Sequence, residues 1–252
     1  MATPRRFVIG DVHGHFDALS QLFEAIAPSS QDGVYFVGDL IDRGPESAKV
    51  VEFVIENKYH CLLGNHERMM LDAIGGGAIS PQFLQAWLHS GGHQTLTSYD
   101  HQIPQEHVNW MQRLPLYLDL GDVWLVHAGL DPRLPIAEQG EAQFCWIRDD
   151  FHLHPFPYFA DKLIITGHTI TFTFPSVEPG KLVAGAGWLD IDTGAYHPKS
   201  CWLTALELNS QEVFQVHTMS HSIRQLPLAE ALVVLNANSL NRRRPKKKGW
   251  FS

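Results

Sequence analysis

The 252 residues, 44% hydrophobic and 18% charged, suffice for one sizeable globular domain and exclude a chain disordered throughout. The formal net charge is −8, and RRRPKKK near the C-terminus carries +6, which leaves −14 (−8 less +6) on the remainder and argues against general nucleic-acid binding. No apolar run approaches the roughly 20 residues that span a bilayer, and MATPRRFVIG leads into a strand without a cleavable signal, so a soluble cytoplasmic protein with no membrane partner is expected.

In chain order, RFVIG predicts a buried strand, and FDALSQLFEAIA a helix with Leu19, Leu22, Phe23 and Ile26 on one face. VYFVGDLIDRG predicts a second strand. ESAKVVEFVIEN predicts a helix facing inward through Val50, Val51 and Val54, and CLLGNHERM a third strand. This alternation of short apolar runs with amphipathic helices is that of βαβ units. A glycine-rich joint at Gly75 then opens a helical insertion over about 75–118, with PQFLQAWLHS and QEHVNWMQRL as its helices. VWLVHAG, LIITGHT, GWLDIDTG, WLTALEL and EVFQVHT follow as strands with few helices between them, from which a second, largely antiparallel sheet is expected. The fold class is therefore α/β, two packed sheets flanked by helices, in a single domain over 1–236. Residues 237–252 read as a basic, flexible tail, solvated and open to an acidic partner.

Asp11, His13, Asp39, Asn65, His127 and His168 each fall at or just beyond a predicted strand end, where loops converge. Carboxylate and amide oxygens mixed with imidazole, without thiolate, suit divalent manganese, iron or zinc. Six such groups exceed one tetrahedral ion and fit two ions about 3.5–4 Å apart, with Asp39 as the bridging carboxylate. Cys61, Cys145 and Cys201 are too scattered for a disulfide framework or a C-x-x-C site and should be reduced and buried. The other eleven histidines, including His15, His93, His152 and His154, are expected to serve surface or core.

Five motifs in order, GDVHG at 10–14, GDLIDRG at 38–44, GNHE at 64–67, HAG at 127–129 and GHT at 167–169, make the chain resemble the metallophosphoesterases, and within them the phosphoprotein phosphatase family with its bacterial and phage members. The resemblance runs from Arg6 to about Leu208 and implies an αββα sandwich. It implies that Asp11, His13 and Asp39 hold one metal ion, and that Asp39, Asn65, His127 and His168 hold the second, with manganese expected ahead of iron or zinc. It further implies that His66, oriented by Asp42, protonates the leaving group, that Arg43 and Arg148 clamp phosphate, and that Asn65 also contacts substrate. A water bridging the two ions would be the nucleophile, with no covalent intermediate. For Arg148 an ion pair with Asp149 or Asp150 is the structural alternative.

Ile170 stands where many metallophosphoesterases have a second histidine, which resembles the phosphoprotein phosphatase branch. The neighbouring group is the symmetrical diadenosine tetraphosphate hydrolases, which tend to have Asp where this chain has Glu67. On that residue the expected activity is hydrolysis of phosphoserine, phosphothreonine or phosphotyrosine monoesters on proteins, with dinucleoside polyphosphate hydrolysis as the alternative. Two departures from the family pattern flank the site: AYHPKSC after DTG, in place of a short glycine-rich turn, and GHTITFTFP, which lacks the usual proline after threonine.

Overall fold

The computed structural model describes residues 3–76 and 79–235; the basic tail expected over 237–252 lies outside them. The strands are β1 (Arg6–Ile9), β2 (Gly33–Phe36), β3 (His60–Cys61), β4 (Tyr117–Asp119), β5 (Val123–Val126), β6 (Leu163–Thr166), β7 (Leu182–Ala184), β8 (Trp188–Asp190), β9 (Trp202–Glu207), β10 (Glu212–His217), β11 (Ile223–Pro227) and β12 (Leu232–Val234). They form two six-stranded sheets, ordered β11-β10-β9-β1-β2-β3 and β12-β7-β8-β6-β5-β4.

Period-two burial explains the layering. In β1, Phe7 and Ile9 turn outward under helices α1 (Phe16–Ile26) and α2 (Ser47–Glu56), where they meet Leu22, Ile26, Val50 and Val54. Val8 between them turns the other way and joins Leu125, Ile165, Leu189, Leu206 and Val213 in the layer between the sheets. The far face of the second sheet is covered by a cluster that includes Trp124, Val126, Phe144, Phe151 and Trp188.

Two details differ from the sequence reading. The segments WLTALEL and EVFQVHT do not extend the second sheet; as β9 and β10 they complete the first, with Val8 opposite Leu206 and Leu206 opposite Val213. A strand buried on both faces needs hydrogen-bonding partners on both edges, and β1 has β2 on one side only until β9 arrives. The second sheet is mixed rather than largely antiparallel, because β5–β6, β6–β8 and β7–β12 pair in parallel. Periodicity reports burial, and burial carries no strand direction.

After α3 (Asn65–Ile74) come three further helices, α4 (Pro81–Trp87), α5 (His93–Ser98) and α6 (Gln105–Met111), and β4 follows from Tyr117. Trp87 is fully buried and packs with Met70, Val108 and Met111 in the core that underlies the first sheet's loops. Among the described residues no helix is long and apolar enough to cross a membrane. All three cysteines are free and buried, as the sequence led one to expect.

Ile165 lies fully buried between the sheets. Ile165→Ala should lower unfolding stability by about 2–5 kcal/mol, measured by urea titration, through lost burial and the cavity left behind.

Candidate functional site

The loops leaving β1, β2, β3, β5 and β6 at their C-terminal ends meet at the top of the sandwich and bring Asp11, His13, Asp39, Asn65, His66, His127 and His168 together, all buried. The backbone there is unusually bent: His13, Asp39, Asp42, Arg43 and His168 all hold positive φ, between 48° and 72°. Each such residue costs about 1–3 kcal/mol, and a glycine would bear it more easily. Side-chain chemistry is retained against backbone preference, the pattern of a functional site. Where glycine does occur it is forced by contact: a β-carbon on Gly64 would strike the Asp39 carboxylate, and one on Gly167 the Asp11 carboxylate.

Asp39 is the centre. Its Oδ2 lies 3.6 Å from His13 Nε2 and 4.0 Å from His66 Nε2, and its Oδ1 3.4 Å from His127 Nε2 while accepting the backbone N–H of His66 at 3.0 Å. Two groups of potential ligand atoms share it, His13–Asp39–His66 and Asp39–His127–His168. Burial alone would raise the Asp39 pKa, but His127, His66 and His13 outweigh it and hold the carboxyl well below the usual carboxylate range. Asp11 stands beside this cluster; its Oδ2 accepts the His168 N–H at 3.0 Å and its Oδ1 is buried without a partner. Burial, Asp192 and Asp39 push the Asp11 carboxyl well up.

The histidine tautomers carry the strongest chemical message. His13 Nδ1 lies 2.9 Å from the carbonyl of Ile41, and His127 Nδ1 2.9 Å from that of Val37. A carbonyl only accepts, so each Nδ1 carries the hydrogen. Burial holds both rings toward the neutral form, His13 strongly so with Arg43 and His66 adding to it. Their Nε2 lone pairs therefore face oxygen: His13 toward Asp39, and His127 toward Asp39 and, at 3.0 Å, Asn65 Oδ1. His168 Nδ1 also approaches Asn65 Oδ1, at 2.7 Å, and its Nε2 is buried without a partner. Lone pairs turned toward carboxylate and amide oxygens suit a cation between them, and a carbonyl on the opposite ring nitrogen is the usual outer support of a metal-binding histidine.

His66 is placed differently, with Nδ1 2.6 Å from Asp42 Oδ2. Asp42 is itself fixed by Trp87 Nε1, which donates to both its oxygens at 3.0 Å, and by Thr95 Oγ1 at 2.6 Å. The sequence reading singles out neither Trp87, in PQFLQAWLHS, nor Thr95; they stand 45 and 53 residues from Asp42 in the chain, so no local pattern joins them to it. Arg43 Nη1 donates to His13 Nε2 at 3.2 Å, and its guanidinium lies 3.9 Å over the ring of Tyr196. Arg148 stands across the cluster, donating to the His168 carbonyl at 3.2 Å and Thr169 Oγ1 at 3.0 Å, while Asp150 pairs with Arg133 instead.

Glu67, the residue on which the phosphoprotein preference rested, does not face the site. It is fully buried and accepts the backbone N–H groups of Asp39 at 2.9 Å, Leu40 at 2.8 Å, Ile41 at 3.3 Å and Gly64 at 3.1 Å. Burial and Asp39 push its carboxyl up to about 7. It shapes the loop that carries Asp39.

Such a fold and such a site define a phosphoesterase built to hold divalent metal ions. Over residues 4–183 the chain matches the calcineurin-like phosphoesterases, and it belongs to that family. It is 30% identical over 141 residues to the symmetrical bis(5'-nucleosyl)-tetraphosphatase of Vibrio cholerae, covering 54% of this chain and 48% of that one. To the protein of the same name from Coxiella burnetii it is 35% identical over 136 residues, covering 52% and 44%. The chain thus spans about half the length of the curated relatives it matches. Among solved structures, a metallophosphoesterase from Sphaerobacter thermophilus superposes with a TM-score of 0.55 at 18% identity, over 90% of this chain and 91% of that one, a likeness of fold.

Glu67→Gln replaces one acceptor oxygen by an NH₂ that faces backbone donors. It should lower stability by about 1–3 kcal/mol, seen as a lower thermal midpoint, because buried N–H groups lose their partner.

Proposed function

We propose that this chain hydrolyses dinucleoside polyphosphates by symmetrical cleavage, using two divalent metal ions held by Asp11, His13, Asp39, Asn65, His127 and His168. The observation that carries the chemistry is Asp39, shared by two groups of potential ligand atoms, in each of which one histidine, His13 or His127, has its Nε2 lone pair turned inward by a backbone carbonyl. Two ions there would neutralise phosphoryl charge and acidify a water between them. Manganese suits the mixed oxygen and imidazole set.

The remaining steps belong to side chains. Arg43 and Arg148, on opposite sides of the cluster, grip phosphoryl oxygens and stabilise the charge that develops on them. His66, whose Nδ1 is locked on Asp42, presents Nε2 to the departing oxygen and hands it a proton. Trp87 and Thr95 keep Asp42 from turning away.

For the substrate, the 30–35% identity to proteins named symmetrical bis(5'-nucleosyl)-tetraphosphatases supports the dinucleotide. The rival preference for phosphoproteins rested on Glu67, which the structure buries in a loop-shaping role. Purified, manganese-loaded chain should therefore convert diadenosine tetraphosphate to ADP alone, with kcat/KM at least about tenfold above that for a phosphoserine peptide, a difference of roughly 1.4 kcal/mol in transition-state binding. The reverse order would return the phosphoprotein reading.

Asp39→Asn should reduce the content of both ions, whereas Asp11→Asn should mainly reduce one; elemental analysis after dialysis distinguishes them. Two ions retained in the Asp39 variant would contradict the shared-ligand assignment. His66→Asn should keep its metals and slow an alkyl phosphate far more than p-nitrophenyl phosphate, whose leaving anion needs no proton.

A further inference from the structure

The loop AYHPKSC builds a row of rings that leads away from the phosphate site. Tyr196 lies edge-on to His13 with centroids 4.8 Å apart and beneath the Arg43 guanidinium. Beyond it comes His197, with centroids 6.0 Å from Tyr196, and then Phe172, 4.8 Å from His197 at an interplanar angle of 61°. All three are half-buried, so each is held by the protein yet keeps an accessible part. Phe172 comes from the other departure in the sequence, the turn Thr171–Thr173 in GHTITFTFP. The two departures thus meet in space.

The platform is held rigidly. The N–H of His197 donates to the Gly194 carbonyl at 3.0 Å, the N–H groups of Ser200 and Cys201 donate to the His197 carbonyl at 2.8 and 3.0 Å, and Thr218 Oγ1 donates to the Ala195 carbonyl at 2.9 Å. Gly194 turns with φ 77°, and a β-carbon there would press on Ile170 and Phe172. A pre-ordered ring surface loses little freedom when a flat ligand stacks on it.

We infer that Phe172 and His197 form a nucleobase platform, on which the purine of a nucleoside polyphosphate stacks while its phosphate chain runs past Tyr196 to Arg43. This rests on the proposed dinucleotide reading and extends it to the base. Lys199, exposed beside His197, supplies positive charge along the same path. The aryl ring of a phosphotyrosine would stop at Tyr196, next to the clamp. A longer substrate is needed to reach Phe172, two rings further out.

The test is calorimetric titration of the manganese-loaded chain with three probes that contain no phosphoanhydride: α,β-methylene ADP, methylenediphosphonate and phenylphosphonate. Stacking on aromatic side chains predicts that the nucleotide binds about tenfold or more tighter than methylenediphosphonate. Phe172→Ala and His197→Ala should each remove most of that advantage and leave methylenediphosphonate within about twofold, which also reports that the phosphate site is intact. Equal affinity of nucleotide and diphosphonate in the wild type overturns the platform, as does an advantage that survives in both variants. A loss for phenylphosphonate as large as that for the nucleotide assigns the rings to an aryl phosphate and likewise overturns it. Turnover of diadenosine tetraphosphate is scored separately: a wild type that shows the base-dependent binding without turnover refutes the proposed reaction and leaves the platform standing.

Discussion

The arrangement hangs on one buried charge. Asp39 sits with both carboxylate oxygens in the interior, 2% exposed, and beside it His13 and His127 are imidazoles that burial keeps toward neutrality. A lone carboxylate there is expensive unless charge or hydrogen bonds meet it. The protein meets it partly with the N–H of His66, and the His13 and His127 lone pairs turned toward it leave a geometry complementary to cations. Everything around the site serves to hold that carboxylate in place: the left-handed turn at Asp39 itself, the glycine at 64 that makes room for it, and Glu67 binding the N–H groups of Asp39, Leu40 and Ile41 from behind.

The same logic extends outward in layers. Carbonyls of Val37 and Ile41, from the chain that brings in Asp39, fix the tautomers of His127 and His13. One loop therefore supplies both the central oxygen ligand and the orientation of the rings around it. Asp42 and Arg43 leave the same loop toward the other side, where the helical insertion grips Asp42 through Trp87 and Thr95. The insertion is thereby tied to the proposed proton-donor pair, His66 and Asp42.

The proposed nucleobase platform lies in a different part of the molecule. Loops that hold Asp39 are constrained by backbone geometry and leave little freedom for variation. The rim, where AYHPKSC meets Thr171–Thr173, reaches Arg43 through Tyr196. This division of labour, rigid strand ends for chemistry and a separate rim for recognition, is how one phosphoesterase scaffold accommodates leaving groups of different size.

The sequence by itself determined the βαβ beginning, the amphipathic helices at Phe16–Ile26 and Ser47–Glu56, and the acidic and histidine residues at strand ends, because apolar periodicity and glycine-bounded motifs are local properties. It left the partners of β9 and β10 open, since a buried edge can be satisfied by any strand that arrives and only the completed sheet shows which one does. At Glu67 the residue type invites comparison between substrates, and only the tertiary structure shows four backbone N–H groups consuming both of its oxygens. Trp87, Thr95 and the ring row from Tyr196 to Phe172 were equally invisible. Their roles depend on contacts between segments far apart in the chain, and such contacts exist only once the two sheets have packed and their loops share one edge.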